Sequence, residues 1–247
     1  MTYKYLLIAL FMSIFSSAIG AQSVKINYQG TFGVFGKVGT IYNTIERNST
    51  NYRIESDVKL QGLARVILRG QKEHYISKGH IENGLMVSDD YTMTTIKKGR
   101  KVVKEYHIDH QHKKTYKRYR KWKNGKLVKD EKKDLGFYGK DDLLTLYFNM
   151  GQYAHMHPKG STFILKAVGL EKQKGIVRIT IPSKAQESRY KKDLGTGTWY
   201  AKAQIVHKGF RKKKGDILLS GDTDGYIKKA AIKDILMYGD AKMIRIK

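Results

Sequence analysis

Three dipeptides constrain this chain more than any other feature. Asn83-Gly84, Asn124-Gly125 and Asp224-Gly225 each separate runs in which apolar and polar residues alternate. A two-residue hairpin loop needs positive φ at both central positions, and Asn-Gly and Asp-Gly tolerate it. Lys98-Gly99 and Lys214-Gly215 mark two further turns. In the first run Val24, Ile26 and Tyr28 alternate with polar residues, as in a strand with one buried face. Further strands are predicted over 39–46, 51–60, 74–81, 85–96, 101–110, 113–123, 126–131, 162–168, 175–181, 199–207, 216–220, 226–232 and 241–246. Turns recurring at roughly 8–12 residues define an all-β fold. The expected architecture is a single antiparallel curved sheet or a partly closed β-barrel.

Two short helices interrupt the strands. One is predicted over 63–68. The other covers 141–150, capped by Asp141 or Asp142, with Leu143, Leu144, Tyr147 and Phe148 on one side and Gly151 as its stop. Such a helix would plug or brace the concave side of the sheet. Gly30, Gly33, Gly36 and Gly39 lack the Gly-Lys-Ser/Thr ending of a phosphate loop, so a Gly-rich bend between two strands is expected there.

The first twenty residues have a different character. Lys4 precedes an apolar run from Tyr5 to Phe15, and small residues follow: Ser16, Ser17, Ala18, Gly20. That order is the one a signal peptide needs. The run is shorter than the ~20 residues of a spanning helix. Cleavage after Gly20 would leave residues 21–247 as one β-rich domain in the periplasm. The chain has no cysteine. This excludes a lipid-modified cysteine, disulfides and a thiol nucleophile, so the exported domain must hold together by core packing.

Lys and Arg number 48 against 22 Asp and Glu, a formal net charge of +26. Such a field attracts anions. Export argues against nucleic acid as the partner. It points instead to lipopolysaccharide, phospholipid headgroups or acidic glycans, with contact to a membrane surface. The charge is densest around Tyr116, Arg118, Tyr119, Arg120, Lys121, Trp122 and Lys123. On a strand, Tyr116, Arg118, Arg120 and Trp122 share one face, and Lys117, Tyr119, Lys121 and Lys123 the other. Neither face is apolar. Arg offers a planar fork for phosphate or carboxylate, and aromatic rings suit sugar faces or a headgroup boundary. A second basic cluster, 211–214, reads as a solvated turn.

Catalytic patterns are absent: the sequence has no Gly-x-Ser-x-Gly and no His-Glu-x-x-His. Asp141-Asp142 and the Asp222–Asp224 pair are explained by capping and turn formation. His110 and His112 would face one way on a strand and are the candidate metal ligands; His155 and His157 repeat the spacing. No cofactor is expected. The leading expectation is a non-enzymatic periplasmic binding protein for an anionic envelope component. The alternatives are a lipid carrier with an apolar cavity and a metal-dependent hydrolase.

The segment Gly139-Lys-Asp-Asp-Leu-Leu-Thr-Leu-Tyr-Phe-Asn149 resembles the central motif of the exported bacterial family DUF3108. The opening from Ile26-Asn-Tyr-Gln-Gly to Gly36-Lys-Val-Gly-Thr40 is similar to that family's first hairpin. The stretches Gly215-Asp-Ile-Leu-Leu-Ser-Gly-Asp222 and Tyr226-Ile-Lys-Lys-Ala-Ala-Ile-Lys resemble its final strands. The chain departs from the family in the basic insert at 97–133, and in Lys229-Ala230 where a Pro usually precedes the last strand. The resemblance implies an exported, largely β protein, and no established activity.

Overall fold

The computed structural model describes residues 22–171, 174–206, 214–235 and 239–246. The expected leader at 1–20 and most of the basic cluster at 211–214 lie outside them. The chain opens with a meander of eight strands: β1 (Gln22–Phe32), β2 (Lys37–Arg47), β3 (Asn51–Leu60), β4 (Lys72–Glu82), β5 (Leu85–Lys97), β6 (Arg100–Asp109), β7 (Lys114–Lys123) and β8 (Lys126–Asp134). It continues with β9 (Asp141–Asp142), β10 (Thr162–Val168), β11 (Ile176–Thr180), β12 (Trp199–Val206), β13 (Lys214–Gly221), β14 (Ile227–Ile235) and β15 (Gly239–Ile246). These form one sheet in the order β8-β7-β6-β5-β4-β3-β2-β1-β15-β14-β13-β12-β11-β10-β9. The halves of the chain join where β1 pairs antiparallel with β15. The curved all-β sheet expected from the sequence is what the structure shows, and it does not close edge to edge.

The roll is produced by bulges and by what lies inside. Register shifts at Lys78/Gly79 and Ser220/Gly221 increase local twist. At Gly221 a Cβ would sit 1.8 Å from the Trp199 ring, so only glycine lets the indole lie across the strand. Inward-facing Ile26, Tyr28, Ile45, Ile54, Val177, Ile179 and Leu219 build the main core. A second cluster of Tyr91, Tyr106, Ile108 and Val168 packs the end of β10 over the inner face of β5 and β6. The sheet therefore overlaps itself, and β7 and β8 project beyond the overlap. Every residue of β8 is exposed. Its edge is dense in Lys, the residue that blunts sheet-to-sheet pairing.

Among the described residues three short α-helices accompany the sheet. Helix α1 (Gly62–Ile67) lies between β3 and β4, as predicted. Helix α3 (Glu187–Leu194) packs outside β13 and β14 through Tyr190 and Leu194. It escaped the sequence reading because its only apolar signal is those two residues in a basic stretch. Helix α2 (Leu143–Met156) lies inside the roll. The expected stop at Gly151 is corrected: the helix continues through it to Met156. Gly151 is instead a contact residue, since a Cβ there would meet the Gly225 carbonyl oxygen at 1.9 Å. No helix among the described residues is long and apolar enough to cross a membrane.

Asp142 fixes α2 in place. It is fully buried and is the N-cap, accepting from the Leu144 and Thr145 amides at 2.7 and 2.9 Å through Oδ1. Its Oδ2 accepts from the hydroxyls of Ser77 (2.5 Å), Ser88 (2.6 Å) and Thr145 (2.8 Å). One carboxylate thus ties the helix start to β4 and β5. Asn149 adds a two-bond pairing with the Met86 backbone, at 2.7 and 3.2 Å. Asp141 is equally buried but accepts only from the Tyr153 hydroxyl, at 2.9 Å. Burial, reinforced by neighbouring Asp142, pushes its carboxyl up to about 7 despite the Tyr153 hydrogen bond.

Candidate functional site

An apolar cavity of about 280 Å³ lies between α2 and the β11–β15 half of the sheet. Its floor is Leu143, Leu146, Tyr147 and Met150 of the helix; its walls are inward side chains such as Val177, Leu219 and Ala230. Two features of the sequence create the space. Small residues, Ala203, Ala230 and Ala241, stand where neighbouring strands carry Ile or Leu. The helix also spans only part of the strand length, so Ile205, Ile217 and Ile232 extend beyond it and remain partly exposed. These residues stand near the β12–β13 and β14–β15 connections.

Antiparallel order puts those connections at the same end of the sheet as the β1–β2, β3–β4, β5–β6 and β7–β8 connections. That end has a distinct chemistry. Helix α1 presents Leu63, Val66 and Ile67 to solvent, 56%, 71% and 59% exposed, with Arg65 and Arg69 beside them in the chain. The β5–β6 and β7–β8 turns add Lys97, Arg100, Lys123 and Lys126.

The basic–aromatic residues are on β7, in the projecting part of the sheet. Arg118 is held by Asp130 through two bonds of 2.9 and 2.6 Å, and Arg120 by Glu105 at 2.7 Å. Trp122 lies between Lys101 and Arg120, at 5.3 and 5.4 Å from its ring centre. The guanidinium forks are thus engaged across strands, while Tyr116 remains exposed. On the opposite face Lys117 pairs with Glu171, which also accepts from the Tyr106 hydroxyl at 2.6 Å. Burial acts to raise the Glu171 carboxyl, but these two donors hold it down at about 2. Tyr119 lies under Lys129, 5.8 Å from its ring centre. Lys121 and Lys123 make no ion pair among the described residues.

The two candidate histidines separate. Strand β6 ends at Asp109, because that side chain accepts the His112 amide at 2.9 Å and turns the chain. His112 pairs with Asp109 at 2.7 Å, whereas His110 turns toward His80 and Asp89. His155 and His157 each hydrogen-bond a helix carbonyl, of Gly151 and Tyr153, at 2.6 and 2.9 Å. They close the end of α2. The alternation of β4 gave no sign of His80 as a partner for His110.

Fold and interior define a barrel-like β-sheet protein wrapped round one helix. The crystal structure of a β-barrel-like protein of domain of unknown function DUF1849 from Brucella abortus has this fold, with a TM-score of 0.53. The alignment covers 93% of this chain and 98% of that one at 11% identity, which shows the fold alone. No protein-family model and no curated protein sequence matches the chain.

Proposed function

We propose that this is a non-enzymatic periplasmic protein that binds an anionic amphiphile of the envelope. A single apolar chain would occupy the cavity, and the anionic group would meet the basic end of the sheet. One observation carries this reading: the cavity beside α2 is lined almost wholly by aliphatic and aromatic side chains. Its 280 Å³ is just below the ~300–1,000 Å³ of small-molecule sites, the size for one acyl chain rather than two. Each methylene removed from water contributes about 0.8 kcal/mol. The exposed aliphatic residues of α1, flanked in the chain by Arg65 and Arg69, suit transient contact with an anionic membrane, where apolar insertion and charge act together. The motif around Asp141 and Asp142, one of the stretches that resemble DUF3108, forms the helix anchor behind this cavity.

Displacement of a dansyl fatty acid tests the reading. The wild-type chain should bind the probe, and Ala203→Leu with Ala230→Leu should abolish binding while preserving the circular dichroism spectrum. Undiminished binding by the folded double variant would overturn the assignment.

A second reading is favoured by Lys121 and Lys123, which make no ion pair among the described residues beside Tyr119 and Trp122 on a projecting hairpin. There the residues from Tyr116 to Lys123 would bind an acidic glycan or lipopolysaccharide directly. Affinity for such a polyelectrolyte falls steeply with added salt. Retention of an acyl chain in the cavity would not.

A further inference from the structure

We propose that His80, Asp89 and His110 form a binding site for a divalent transition cation of the zinc type. The three come from β4, β5 and the turn after β6, and their ligand atoms all lie within 4.8 Å of one another. His80 Nδ1 is 2.9 Å from Asp89 Oδ1, and His110 Nε2 is 3.2 Å from the same oxygen. Tetrahedral coordination with bonds of ~2.0–2.1 Å places ligand atoms about 3.3 Å apart. Two of the three separations already match, so only the imidazoles need to rotate toward each other. The rings meet edge to face, with centres 5.4 Å apart. All three residues are half-buried, which leaves a path for entry and a fourth position for water.

The surroundings supply the tautomer that a metal requires. His110 Nδ1 lies 2.7 Å from the Tyr138 hydroxyl. With its proton on Nδ1 donated to Tyr138, His110 presents the Nε2 lone pair to the ion, the outer hydrogen bond typical of metal-bound histidine. In the metal-free state the Nε2 proton is donated to the Ser88 carbonyl at 2.9 Å, or to Asp89. The cation therefore replaces a proton rather than an apolar contact. Lys140, two residues from Tyr138 in the chain, has its charge engaged by Glu82. Two imidazoles and one carboxylate favour a borderline-soft ion over Mg²⁺ or Ca²⁺, which take oxygen ligands.

Position gives the site a consequence. Ser88 accepts from His110 through its carbonyl and donates to Asp142 through its hydroxyl. An ion there would clamp β4, β5 and the β6–β7 turn beside the helix anchor.

Calorimetric titration of untagged, chelator-treated protein with ZnCl₂ tests the proposal, with Co²⁺ absorption reporting geometry. One ion per chain is expected, with a tetrahedral Co²⁺ spectrum and no response to MgCl₂. Tyr138→Phe should weaken binding ~10–100-fold, as loss of an outer hydrogen-bond partner does. His80→Ala and His110→Ala should weaken it more, and His112→Ala should leave it unchanged. Absence of saturable Zn²⁺ binding by the folded wild-type chain would overturn the proposal. So would equal affinity in the folded His80→Ala/His110→Ala variant.

Discussion

Replacing Asp141 by Asn should reverse part of the pH dependence of stability. Asp141 is 1% exposed, and one of its two carboxylate oxygens has no hydrogen-bond partner. Its carboxyl is pushed up to about 7 in the folded state, against about 3.9 for an Asp in an unfolded chain. Between those values the folded chain holds a proton that the unfolded chain has released. The stability from this group is therefore fully present below about pH 4 and is lost as pH rises through about 7. A difference of about three pKa units at 1.36 kcal/mol each gives a total loss of about 4 kcal/mol, of which roughly 2–3 kcal/mol falls between about pH 5 and pH 8. Asn cannot ionise, and its carbonyl can still accept from Tyr153. Urea unfolding of both proteins at the two pH values measures the effect. The advantage of Asp141→Asn over wild type should grow by roughly 2–3 kcal/mol from the acidic to the alkaline condition. Asp142, also raised by burial, is present in both chains, so its own titration largely cancels. Parallel pH profiles for the two proteins would refute the assignment of a buried, unsolvated Asp141.

Other substitutions test the same architecture. Asp142→Ala strands the Ser88 hydroxyl and the Leu144 and Thr145 amides, while Ser77 and Thr145 keep each other and the Tyr52 hydroxyl as partners. At ~1–3 kcal/mol for each of the three groups the loss is a large part of the ~5–15 kcal/mol stability of a domain, so the melt followed by circular dichroism should move sharply to lower temperature. Gly151→Ala should cost about 3 kcal/mol in a denaturant titration, since the added methyl meets the Gly225 carbonyl. Arg118→Ala, which removes an exposed ion pair, should change stability by under about 1 kcal/mol. The combined Arg118→Ala, Arg120→Ala, Trp122→Ala chain should bind lipopolysaccharide more weakly and with a shallower salt dependence; unchanged binding would remove the hairpin from the site.

Much of the β architecture was legible because its causes are local. Asn83-Gly84 and Asn124-Gly125 close the hairpins they predicted, with positive φ at all four residues. The β5 and β7 boundaries fall within a residue or two of the alternating runs. The end of α2 was misplaced because glycine usually stops a helix. Here the requirement came from Gly225, more than seventy residues away. Helix α3 was missed because two apolar residues carry no clear period.

The sequence by itself determined the turns, the strand faces, the position of the helix cap and the excess of positive charge. All of these follow from backbone preferences and side-chain chemistry within a few residues. Tertiary structure alone decided that the sheet rolls round α2 and leaves a cavity, since that depends on how distant side chains fill one space. It also decided that Arg118 and Arg120 spend their charge on Asp130 and Glu105, an outcome of strand register. His110 meets His80 rather than His112 for a related reason: Asp109 turns the chain after β6, and pairing of β5 with both β4 and β6 brings residues thirty positions apart together.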